Sequence, residues 1–169
     1  MSHDASVGTM PQARSLAAIR LLRPKHWIKN LFVLAPLIFS GLFTRRVDTL
    51  RALFGTLLFC VAASLVYVLN DLADLHVDVL HPVKRLTRPL ASGAVSVTTA
   101  RGRLVVLAAM VLAGAFVSVP LSAVLIGYIL LNVLYSTWLK RVPVVDIFCV
   151  AAGFVLRVYA GAVVIDVPL

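Results

Sequence analysis

Residues 51–93 read RALFGTLLFCVAASLVYVLNDLADLHVDVLHPVKRLTRPLASG. An apolar run ends at Leu69, three aspartates follow at 71, 74 and 78, and a cluster of cations comes next. The run is long enough for a membrane helix, because about 20 helical residues cross a hydrocarbon core of about 30 Å. The rest of the chain has the same character: its 169 residues are 61% hydrophobic and only 14% charged, with a mean hydropathy of +0.99. That is far more apolar than a soluble domain. Alternation in segments of about ten residues, the mark of a membrane β-barrel, is absent. The expected fold class is therefore all-α, a polytopic membrane helical bundle.

Five spans are expected, at about residues 27–43, 50–69, 104–119, 121–138 and 143–165. Pro120 punctuates the turn between the third and fourth, and Pro143 opens the fifth as a first-turn proline. Residues 1–13 are polar and expected to be a disordered tail, with residues 14–169 forming the membrane domain. No signal-peptide cleavage pattern follows the first apolar segment. Lysine and arginine set the orientation. Arg14, Arg20, Arg23, Lys25 and Lys29 precede or open the first span; Lys84, Arg85, Arg88, Arg101 and Arg103 lie between the second and third; Lys140 and Arg141 lie between the fourth and fifth. The opposite side has Arg45, Arg46 and Arg51. This bias puts the N-terminus and the Asp-rich loop in the cytoplasm of a cell-membrane protein. The formal charge of +9 comes from cations flanking apolar spans, which points to lipid headgroups and away from nucleic acid.

Lipid attraction accounts for cations, not for carboxylates. The chain has no glutamate, so Asp71, Asp74 and Asp78 are three of its seven acids. If the second span continues as a helix past Leu69, they fall at about 0°, −60° and −20° around its axis, with Asn70 at about −100°. Like charges on one narrow face repel, and each aspartate at membrane depth costs roughly 2.5–3.5 kcal/mol. A divalent cation relieves both penalties, and Mg²⁺ in particular bridges carboxylates to substrate phosphates. A solvated acidic loop is the alternative, and the shared face argues against it. Lys84, Arg85 and Arg88 follow closely enough to fold back over that face. His81-Pro82 and Arg88-Pro89 break the helix, and Ser92-Gly93 permits a sharp turn. Carboxylate-held Mg²⁺ with Lys and Arg is apparatus for neutralising a departing diphosphate.

The pattern N-D-x-x-D-x-x-x-D followed by H-P-x-K-R-x-x-R-P-x-A-S-G resembles the first Asp-rich motif of the UbiA-type prenyltransferase superfamily. Its members are all-helical membrane proteins, commonly of about nine spans, that use Mg²⁺ to ionise a diphosphate donor. RPKHWIKNLFVLAPLIFSG at residues 23–41 and YSTWLKRVPVVDIFCVAAGFVLRVYAGA at 135–162 narrow the resemblance to the decaprenyl-phosphate phosphoribosyltransferase branch. That branch moves 5-phosphoribose from phosphoribosyl diphosphate to a polyprenyl phosphate, toward arabinose donors for the cell envelope. The resemblance implies that Asn70, Asp71, Asp74 and Asp78 bind metal and diphosphate, and that Lys84 and Arg88 contribute from the basic loop. It also implies substrate-binding roles for Tyr135 and Lys140, a pair spaced one residue wider here than the usual YxxxK, and for Lys25, Asn30 and Arg157. It covers residues 16–169 but only the family's first half, so the expectation is a chain that needs a second half or partner chain and is weakly active alone.

Arg157 lies well inside the fifth span, where an unpaired guanidinium is costly. Asp146 is about 16 Å away along an ideal helix, too far to pair with it directly. Arg157 then either binds phosphate in a cavity or pairs with an aspartate of another helix. Cys60 and Cys149 read as small buried residues, and Trp27 and Trp138 as interfacial anchors. Three functions remain open: phosphoribosyl transfer, prenyl transfer from a prenyl diphosphate to an aromatic or other acceptor, and a non-catalytic membrane remnant.

Overall fold

The computed structural model describes residues 11–139 and 143–168. The described residues are helical with no strand: α1 (Pro11–Leu21), a 3₁₀ segment (Pro24–Leu34), α2 (Ala35–Phe39), a short 3₁₀ turn (Leu42–Thr44), α3 (Arg46–Ala73), α4 (Leu75–Leu80), α5 (Lys84–Thr87), α6 (Val97–Ala115), α7 (Val119–Thr137) and α8 (Pro143–Val164). Helix α1 takes in the last residues of the segment expected to be disordered. Residues 1–10, Lys140 and Arg141 lie outside the described residues.

Four helices, α3, α6, α7 and α8, are long and apolar enough to cross a membrane. The expected first span is not one helix but a 3₁₀ segment joined to a short α-helix. Eleven residues at about 2.0 Å rise and five at about 1.5 Å still reach about 30 Å. Such a long 3₁₀ run is uncommon, and its period of three explains it here. Trp27, Asn30 and Val33 stack on one face toward α3: the Trp27 indole donates to Ser64 Oγ at 3.0 Å, Asn30 Nδ2 lies 3.2 Å from Cys60 Sγ, and Val33 is fully buried in the core. Steps of three on the 3₁₀ segment thus meet a step of four on α3. Trp27 is a clasp between elements, whereas Trp138 is 78% exposed, as an interfacial anchor would be.

Helix α3 is the hub. Two-thirds of its most apolar window is buried, against 22–28% for the other three spans. Ala52, Gly55, Ala62, Ala63 and Ser64 keep its surface low, so neighbouring backbones approach closely. Phe59 and Val66 fill the centre against Leu121, Leu125 and Tyr128 of α7. Gly161 of α8 fits against the carbonyl of Val33, where a Cβ would collide with backbone.

Helix boundaries follow local capping. Helix α6 begins seven residues earlier than expected because Ser96 caps it, accepting from the Thr99 amide at 3.1 Å. Pro120 sits inside the first turn of α7, behind the Ser118 cap, and so belongs to the helix and not to the turn before it. Ion pairs of Arg23, Lys84 and Arg88 with Asp71 and Asp78 put the start of the 3₁₀ segment and the Asp-rich loop at one end of the bundle.

Candidate functional site

Helix α3 does not run straight through the aspartates. It stops at Ala73; Asp74 takes φ −85° and ψ 0°, and α4 resumes at Leu75. Asp78 N still bonds to Asp74 O at 2.9 Å, so the register is nearly kept across the break. Asp71 and Asp78 are almost fully buried, while the Asp74 side chain is 36% exposed. The shared face expected from the spacing therefore holds for two inward carboxylates, with the third at the rim.

Both X-Pro breaks act as expected. His81 and Arg88 are extended, with ψ 125° and 124°, because the following proline disfavours the helical region. His81 Nδ1 accepts from the Val83 and Lys84 amides, which tightens the start of α5. The chain folds back and delivers its cations to the acids. Arg88 Nη1 bonds Asp78 Oδ2, and lies 3.3 Å from Asp71 Oδ1 and 4.0 Å from Asp74 Oδ2. One guanidinium thus touches all three carboxylates. Lys84 Nζ lies 3.3 Å from Asp78 Oδ1. That contact is electrostatic and lacks hydrogen-bond alignment, since Asp78 Oδ1 and Asp71 Oδ2 are both buried without a hydrogen-bond partner. Asn70 is half-buried beside them, with no side-chain hydrogen bond among the described residues.

Arg23 completes the cluster, and sequence reasoning assigned it only to the lipid-facing cations. Its Nη2 lies 2.6 Å from Asp71 Oδ1, and its guanidinium sits 5.1 Å over the Tyr67 ring. Its backbone is left-handed, φ 53°, directly before Pro24. A non-glycine residue in that region costs about 1–3 kcal/mol and is kept only where its surroundings demand it. The detectable signal was Tyr67, one helical turn before Asp71 and so on the same face. His26 packs against Tyr67 at 5.4 Å.

Two orphaned carboxylate oxygens beside a third carboxylate form a hard oxygen donor set, which suits Mg²⁺. The side chains are not preassembled as an ion cage: no group of three acidic, histidine or cysteine ligands among the described residues is close enough to hold a metal. Arg88 stands where the carboxylates converge, and must give way for an ion to enter.

A second polar region lies deeper. A cavity of about 120 Å³ is lined by Lys29, Tyr67, Asn132, Tyr135 and Arg157, among others. Arg157 is 7% exposed and pairs with no aspartate among the described residues; it donates from Nε to Asn30 Oδ1 at 2.9 Å, from Nη1 to Gly153 O at 2.6 Å and from Nη2 to Tyr128 Oη at 3.1 Å. Phe59, Tyr128 and Phe154 surround it at 5.0–5.6 Å, so aromatic faces stand in for an anion. Asn30 is fully buried and scaffolds Arg157 instead of facing the cavity. Tyr135 lines the cavity and donates to Asp146 Oδ1 at 2.6 Å, which separates Asp146 from Arg157 as the helix spacing required. Lys25 is exposed near Asp71. Lys140, the expected partner of Tyr135, lies outside the described residues.

Comparison with known proteins agrees with this arrangement. The UbiA prenyltransferase family matches residues 33–168. Decaprenyl-phosphate phosphoribosyltransferase of Corynebacterium glutamicum is 38% identical, over 89% of this chain and 47% of its own length. The protein of the same name from Mycobacterium tuberculosis is 38% identical over 100% of this chain and 57% of its own, and that of Mycolicibacterium smegmatis 35% identical over 100% and 55%. The chain spans about half the length of the curated relatives it matches. With a matched family region covering most of its residues and a multi-pass bundle built around buried aspartates, the chain belongs to the UbiA prenyltransferase family.

Proposed function

We propose that this chain carries the donor-binding part of a membrane transferase that moves 5-phosphoribose from phosphoribosyl diphosphate to a polyprenyl phosphate such as decaprenyl phosphate. The observation that carries the reading is the pair of buried carboxylates, Asp71 and Asp78, each with an orphaned oxygen, beneath a loop that folds Lys84 and Arg88 onto them. A divalent cation, Mg²⁺ in this reading, would be held by Asp71, Asp74 and Asp78 with Asn70 beside them, and would neutralise the diphosphate. Arg88, released from the carboxylates, and Lys84 then face the departing pyrophosphate. The bond from ribose C1 to the diphosphate oxygen breaks, its electron pair leaving with pyrophosphate, and a phosphate oxygen of the acceptor bonds to C1. The acceptor oxygen is already anionic, so no side chain has to act as a strong base. Arg157, Tyr128 and Tyr135 line the inner wall, Asn30 holds Arg157 in place behind it, and Lys140 is read as a further substrate-binding cation.

The names of the relatives support the donor and acceptor classes, and the excess of cations at one end supports a cytoplasmic site in the cell membrane with the isoprenoid tail in lipid. In this reading the product feeds arabinose-donor synthesis for the cell envelope. Calorimetry in lipid nanodiscs tests it: Mg²⁺ uptake should rise when pyrophosphate is present, and phosphoribosyl diphosphate should compete better than geranyl diphosphate. No Mg²⁺ uptake with or without pyrophosphate would overturn the reading, and a preference for geranyl diphosphate would favour prenyl transfer instead.

A further inference from the structure

A cavity of about 500 Å³ opens beside the aspartate cluster, walled by Arg20, Lys25 and Thr87 and meeting the cluster at Arg23, Arg88 and Asp71. Its volume falls in the range of small-molecule sites. The charges in it are unevenly spent. Arg23, Lys84 and Arg88 are engaged with the three aspartates. Arg20 and Lys25 have no ion pair among the described residues, although they line the same opening. Their placement is built in: the left-handed turn at Arg23 ends α1 and starts the 3₁₀ segment, setting Arg20 on one side and Lys25 on the other.

A diphosphate in the carboxylate cluster satisfies the inner cations and leaves these outer two unmatched. A prenyl diphosphate has only hydrocarbon beyond its diphosphate and offers them nothing. We propose that the Arg20–Lys25 cavity receives a phosphate monoester carried on the donor away from its diphosphate, the 5-phosphate of phosphoribosyl diphosphate, and so selects phosphorylated sugar donors over prenyl diphosphates. The inference rests on the diphosphate reading of the aspartate cluster. An anionic lipid headgroup offers the same phosphate chemistry at the same face, so the test separates the two sources.

The protein and its Arg20→Gln/Lys25→Gln double variant are placed in nanodiscs of phosphatidylcholine alone, and binding of phosphoribosyl diphosphate, inorganic pyrophosphate and geranyl diphosphate is measured with Mg²⁺ present. Loss of charge-assisted contacts to one phosphate should weaken phosphoribosyl diphosphate about tenfold or more, while pyrophosphate changes by less than about twofold and serves as the folding control. The preference over geranyl diphosphate should shrink by the same factor. Ribose 5-phosphate should compete with phosphoribosyl diphosphate on the unaltered protein and not on the variant. Unchanged phosphoribosyl diphosphate affinity, or equal losses for it and pyrophosphate, overturns the proposal while leaving the diphosphate site intact. Discs containing phosphatidylglycerol supply the other arm: if the variant loses only lipid binding, the cavity is a headgroup site and the proposal fails. Absence of pyrophosphate binding in the unaltered protein overturns the cluster reading and this inference together.

Discussion

Arg88 decides the state of the site because its one guanidinium bridges both buried carboxylates, whereas Arg23 reaches only Asp71 and Lys84 only Asp78. Removing one partner of a buried ion pair typically costs about 3–5 kcal/mol, since the other charge stays buried and uncompensated. Arg88→Met should therefore lower the thermal midpoint in detergent markedly. Adding Asp78→Asn to it should recover part of the loss, which a general packing defect would not allow. Asp71→Asn should instead spare stability more than it spares ligand binding, abolishing pyrophosphate-dependent Mg²⁺ uptake in calorimetry. Arg157 behaves differently. Its three hydrogen bonds end on Asn30, Gly153 and Tyr128, so Arg157→Lys cannot reproduce the fork. A loss of order 3 kcal/mol in unfolding free energy is expected, with pyrophosphate affinity changed little in the protein that remains folded.

Among the elements, the contact between α8 and the 3₁₀ segment is the least forgiving. The Cα of Gly161 faces the Val33 carbonyl, and backbone cannot turn aside as a side chain can. Gly161→Ala should separate the two elements and cost about 1–3 kcal/mol or more. Gly114 of α6 is a useful contrast: an added Cβ would lie 2.5 Å from Leu58 Cδ2, the far end of a flexible side chain. Gly114→Ala should be clearly milder, and melting the two variants side by side in one detergent checks the order. Reversal of that order would mean that the 3₁₀ segment is not wedged between α3 and α8.

Across the whole molecule, every cation engaged with the aspartates sits at one end of the bundle, and Arg45, Arg46 and Arg51 sit toward the other. In the proposed function, the charge asymmetry orients that first end toward the cytoplasm. With a membrane-impermeant maleimide on intact cells, Thr44→Cys should label directly and Ser92→Cys only after permeabilisation, the unaltered chain providing the background for Cys60 and Cys149. The opposite pattern would move the donor site to the far side of the membrane, away from any cytoplasmic sugar diphosphate.

How much of this was legible in the sequence depends on the range of the interactions concerned. Four of the five expected spans, the breaks at His81-Pro82 and Arg88-Pro89, and the common face of Asp71 and Asp78 follow from local geometry and from the cost of polar groups in hydrocarbon, and the structure bears them out. The Ser96 cap, which starts α6 early, was equally local and was overlooked. What the chain could not declare by itself were choices made between distant residues. The 3₁₀ path of residues 24–34 exists because Trp27, Asn30 and Val33 must meet α3 every third residue. Arg23 turned from a lipid-facing cation into a partner of Asp71, 48 positions away. Arg157 found aromatic faces and an asparagine, where an aspartate of another helix was one of its two expected partners. Hydropathy and helix periodicity are properties of neighbours along the chain, so sequence alone determined the bundle and its acidic face. Which cation neutralises which buried group depends on who arrives at the same point in space, and only the tertiary structure decided that.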